Sequence, residues 1–119
     1  MKTWKDIKGE ILRLGAQGED RYEAAPALFV EAVNRAAVIV AAAFDEPTPD
    51  PLTPQSPDET GIALSREAAV ALPLLAAFYV FEDEDERKAV RWREDAYDLM
   101  GRFTSHKRGR AEVVGNQDY

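Results

Sequence analysis

The 119-residue chain has no cysteine and a single histidine, His106. Without thiols there is no disulfide framework and no thiolate metal site, a usage that fits a reducing compartment. The lone histidine lies in a basic stretch with no apolar neighbours in sequence. It has no partner for a zinc site or a nucleophile–histidine pair, and reads as an exposed polar residue. Long apolar runs are missing too. The longest, residues 36–44, is far short of the ~18 residues that mark a membrane span, and Asn34 and Arg35 directly precede it. Lys2, Lys5 and Lys8 have no apolar run behind them, so no signal peptide is read. Gly9, Gly15 and Gly18 follow no strand and lack the lysine-serine or lysine-threonine ending of a phosphate-binding loop. These absences leave no residue set able to run catalysis. The expectation is a soluble, non-enzymatic chain with no cofactor, no metal site and no membrane contact.

What is present is an ordinary globular balance of 45% apolar and 31% charged residues, enough for one modest core. The formal net charge of -7 argues against general nucleic-acid binding, which depends on summed positive charge. The charge is uneven, since Arg102, Lys107, Arg108 and Arg110 fall close together with no acid between them.

Apolar spacing predicts an all-α fold of about four helices in a compact bundle. Thr3 and Asp6 form a capping-box pattern ahead of Trp4, Ile7, Ile11 and Leu14, a stripe that ends near Gly15 to Gly18. Pro26 suits the first turn of a second helix over about 26–44, with Phe29, Val33, Ala36, Ala37, Val40 and Phe44 on one face. Ser65 caps a third helix that is apolar on nearly all sides between Val70 and Phe81 and contains Pro73, where a kink is expected. The contiguous acids of 82–86 lack the spacing and central glycine of a calcium loop, and read as the charged start of a long last helix over about 85–104. Its stripe is Ala89, Trp92, Ala96, Leu99 and Phe103, so core packing outranks base stacking as the role of these aromatics.

Two segments fall outside the helical pattern. Residues 45–60 hold five prolines, five acids and no base, and read as an extended, solvated and mobile loop. Residues 105–119 lose the apolar spacing and read as an extended basic tail, distinct from a helical domain of residues 1–104. Within it, Lys107, Arg108 and Arg110 precede the β-prone Val113 and Val114. Such a segment can add to a sheet edge on a partner, or can simply solubilise the terminus. Phe78 and Phe81 on the apolar helix are the other candidate partner-binding residues.

The order of these features is more specific than any one of them. TWKDIKGEILRLG is followed by FVEAVNRAAVIVA, an irregular segment, and then ALPLLAAFYVFEDEDERKAVRWREDAYDLM. This order resembles the small head–tail connector, or neck, proteins of tailed bacteriophages and prophages, most closely over residues 72–100. The resemblance implies a non-enzymatic virion structural protein that forms a homo-oligomeric ring, commonly of twelve subunits. Such a ring joins the portal protein to the next neck or tail protein around the DNA channel, with passing contact to packaged DNA. The proline-rich segment departs from the pattern, since relatives often carry a more apolar, strand-like piece there. Two rival readings are a helical adaptor or regulatory binding domain, and a DNA-binding helical protein that uses the basic tail.

Overall fold

The computed structural model describes the backbone of residues 1–115 and the side chains of residues 1–102. Five helices follow one another: α1 (Trp4–Leu14), α2 (Glu19–Ala24), α3 (Pro26–Ala43), α4 (Arg66–Phe81) and α5 (Glu86–Gly115). The all-α expectation holds, with one short helix more than the apolar spacing foretold. α2 has six residues and buries none of them, so it carries no apolar period to read.

The helix starts and stops follow from local chemistry. The Thr3 hydroxyl accepts the Asp6 N–H while the Asp6 carboxylate accepts the Thr3 N–H, the reciprocal box foreseen from sequence. Ser65 caps α4 by accepting the Ala68 N–H. α1 and α3 both end in a left-handed residue that is not glycine, Ala16 (φ 54°) and Asp45 (φ 57°). In each case the next N–H returns to a carbonyl five residues back, Gln17 to Leu12 and Glu46 to Ala41. Gly15, one position early for that role, is needed for space: a Cβ there would stand 2.5 Å from the Phe81 ring.

α4 is the centre of the bundle, packed on α1, α3 and α5. It runs unbroken through Pro73, which is itself buried. Small residues let the neighbours approach closely. Ala68, Ala71, Ala76 and Ala77 of α4 are fully buried, as are Ala36 and Ala41 of α3. Edge-to-face rings run through the core in sequence: Trp4 on Tyr22, Tyr22 on Phe29, Phe29 on Phe81, and Phe81 on Trp92. By length and composition α3 would suffice to cross a membrane, yet Phe29, Val33, Ala36 and Val40 pack in the bundle core.

The proline-rich segment 45–60 is an irregular, mostly exposed loop, as the sequence indicates, but it is anchored to the bundle at a few points. Leu52 is buried, and its N–H and C=O are both held by the Asn34 side chain at 2.8 and 2.9 Å. Further on, Trp4 and Lys5 donate to the carbonyls of Thr60 and Asp58 at 2.8 and 3.0 Å, and Ile62 donates to Lys2 at 2.9 Å. The first amides of α1, which no helix can satisfy internally, thus find their acceptors in this segment. Composition concealed this, because a few well-placed backbone partners do the anchoring.

One sequence expectation needs correction, at the C-terminus. α5 continues to Gly115, so the backbone of 105–115 is helical and the boundary at residue 104 does not mark its end. No proline interrupts 86–115, so nothing in the backbone stops the helix from running on past the last position of its apolar stripe. α5 outruns the 16-residue α4 by 14 residues, about 21 Å at 1.5 Å per residue. The molecule is correspondingly long and flat, 58 × 31 × 16 Å.

Candidate interaction surface

Among the described residues no group of histidine, cysteine or carboxylate side chains is arranged to hold a metal ion. The site best supported is a surface, and it lies on the outer side of α4. Val70, Leu74 and Phe78 repeat at intervals of four, so they form one ridge along the helix. This is the part of α4 left between its neighbours. Val70 is 44% exposed, and Leu74 and Phe78 are partly buried.

Beside the ridge, α1 supplies Glu10, Arg13 and Leu14, and together with Lys2, Val70, Pro73 and Leu74 they enclose a groove of about 440 Å³. A second hollow of about 360 Å³ shares Lys2 and Val70 and adds Met1, Asp6, Leu64, Arg66 and Ala69. The floor is apolar and the rim is mainly basic. Lys2 is committed to Glu10 at 2.7 Å, and Asp6 to the cap of α1. Arg13 and Arg66 have no ion pair among the described residues, and the second carboxylate oxygen of Glu10 is buried with no hydrogen-bond partner.

Other charged side chains are structural. The Lys8 ammonium sits 4.3 Å from the Tyr22 ring centre and 5.5 Å from that of Trp4, and bonds Asp58 at 3.0 Å. Burial pulls its pKa down, but the Asp58 hydrogen bond and the Asp58 and Glu19 charges outweigh this and hold it above the ordinary lysine value. Arg21 ties α2 to the turn after α4 through Glu84 at 2.6 Å, with its guanidinium 5.7 Å from the ring centres of both Phe29 and Phe81. On the far side of α4, Arg35 stacks 4.2 Å from the Tyr79 ring centre. Burial raises the Tyr79 phenol above its usual pKa.

The residues singled out in sequence separate accordingly. Phe81 is 2% exposed and stacks between Phe29 and Trp92, so it is a core residue and offers nothing to a partner. Phe78 is on the outer ridge, where Arg93 of α5 covers its ring at 4.7 Å. The side chains of Lys107, Arg108, Arg110, Val113 and Val114, like that of His106, lie outside the described residues. Val70, Leu74, Arg13 and Arg66 were missed. The i, i+4, i+8 repeat of Val70, Leu74 and Phe78 was there to be read, but α4 is apolar on nearly every side, so periodicity alone does not reveal which stripe stays uncovered.

Comparison with known protein families, with curated proteins and with solved structures finds no match for this chain.

Proposed function

We propose that the chain is a virion structural protein, a ring-forming head–tail connector subunit that joins a phage portal to the next neck or tail component around the DNA channel. The observation that carries this reading is the α4–α5 hairpin. The stretch that resembles the connectors, residues 72–100, forms its central part, and its first helix keeps an apolar ridge on the outside. A monomeric domain of this size gains nothing from such a ridge, whereas a ring subunit needs faces to lay against neighbours. In this reading α5, which outruns the bundle, carries Lys107, Arg108, Arg110, Val113 and Val114 to the portal. The negative overall charge keeps any contact with packaged DNA a passing one.

Electron microscopy of the protein mixed with a phage portal protein tests the proposal. Added density in a ring on the portal is the expected result. A genomic neighbourhood without portal, capsid or tail genes, and no binding to any portal, would instead favour a helical adaptor or regulatory domain.

A further inference from the structure

The basic-rimmed groove between α1 and α4 is out of character for a chain of net charge -7, and charge complementarity says what fits it. Arg13 and Arg66 want acids, and the floor of Leu14, Val70, Pro73 and Leu74 wants an apolar or aromatic anchor. Two copies meeting groove to groove would set these bases against each other. Among the described residues, the large hydrophobic side chains exposed outside the two hollows are Leu28, Val38 and Tyr97. Of these, only Tyr97 is an aromatic side chain flanked by acids on its own helix, with Glu94, Asp95 and Asp98 within three positions. It is 49% exposed. Asp98 pairs with Arg102, while Glu94 and Asp95 have no ion pair among the described residues.

We infer that the α1/α4 groove of one copy receives Tyr97 of a second copy, with Glu94 and Asp95 of that copy facing Arg13 and Arg66. Tyrosine suits such an anchor, because it supplies a large rigid ring at a low cost in conformational freedom.

The two halves of this contact lie on different sides of the molecule. The groove is on the α1 flank of α4, whereas Tyr97 belongs to α5, which packs on α4 and α3. Each copy that fills a groove therefore still presents its own groove to the next. Such a head-to-tail contact closes into a ring or runs on as a filament. The contact depends on the connector reading only for the closed ring, and the pairing itself stands on the two surfaces.

The absence of cysteine makes crosslinking decisive. Gly9 and Gly101 border the two surfaces, and a Cβ at either meets nothing within 4 Å, so Gly9→Cys and Gly101→Cys leave the fold in place. When the two single-cysteine proteins are mixed at high concentration with a short bismaleimide, the mixed dimer should dominate over both homodimers. Its yield should fall by about tenfold with Tyr97→Ala or Arg13→Glu, the usual effect of losing an interface anchor. Arg13→Glu on the groove copy should recover when paired with Glu94→Arg on the other. Any of four results overturns the inference: no mixed dimer above the homodimer level, dominance of the Gly9→Cys homodimer, indifference to Tyr97→Ala, or preferential linking of Gly9→Cys to Val113→Cys, which would seat the terminal segment in the groove. A positive crosslink in a protein that binds no portal would defeat the connector reading alone. Portal binding that is unaffected by these variants, with no mixed dimer, would defeat this contact alone.

Discussion

Single residues carry much of this fold because several do work that their type does not announce. Gly15 and Ala16 have exchanged the usual roles at the end of α1, with glycine serving close packing and alanine taking the left-handed turn. Ala16→Gly should therefore stabilise the protein by about 1 kcal/mol, the cost of holding an alanine in that region. Gly15→Ala should destabilise it by about 1–3 kcal/mol, since the new methyl displaces the Phe81 ring from a packed core. Gly9→Ala, in open space within α1, should add roughly 0.5–1 kcal/mol. Urea unfolding of the three variants checks the signs together. At the other end of α1, hydrogen bonds from the Thr3 backbone and hydroxyl hold the Asp6 pKa below its ordinary 3.8. A carboxylate depressed in the folded state contributes stability that is complete above 3.8 and disappears as pH falls through the lower, folded value. Thr3→Val should move the Asp6 titration, followed by NMR, back toward 3.8.

At the scale of elements, the sequence was legible wherever a helix had one buried stripe and a cap. The Thr3–Asp6 box, Pro26 at the first turn of α3 and Ser65 before α4 were all read in place, because each satisfies a local backbone requirement that leaves a residue signature. Legibility failed where the deciding partner is distant. Nothing near Leu52 tells that Asn34, eighteen residues earlier, will grip its peptide group, so a proline-rich acidic stretch was read as free chain. Asn34→Ala strands both polar groups of a buried residue, at about 1–3 kcal/mol for each group left unpaired. The expected result is a marked loss of stability in denaturant. Amide exchange at Leu52 should also rise by more than global unfolding accounts for, as the segment peels away first. Indifference of Leu52 exchange to this change would show that the prolines and the Asp58 and Thr60 contacts hold the segment unaided. The end of α5 failed for another reason: residues 104–115 have no apolar stripe to give a period, and with two glycines, two valines, Thr104 and Ser105 their composition does not announce a helix either.

At the scale of the whole molecule, the question is how one nearly all-apolar helix divides its surface between core and partner. Phe78 and Phe81 are three positions apart and look interchangeable in sequence, yet they answer differently. Phe81 closes the ring sequence from Trp4 to Trp92 and fills the space opened by Gly15. Placing a carboxylate there buries a charge with no partner and opens the centre of the bundle, so Phe81→Asp should leave little folded protein. Phe78 packs against Tyr79 and under Arg93 at the edge of the exposed ridge. A carboxylate at that position can still reach solvent and can pair with the Arg93 guanidinium, so Phe78→Asp should keep the helical circular dichroism and a cooperative melt. Under the connector proposal, what it should lose is assembly, because the ridge would present a charge to the neighbouring subunit. The measurement is a pair of assays on the same preparation, thermal unfolding by circular dichroism and incorporation into portal-bound particles. A folded Phe78→Asp protein that enters particles as the wild type does would remove the end of the ridge from any interface. An unfolded one would mean that Phe78 belongs with Phe81, and that the outer side of α4 begins at Leu74.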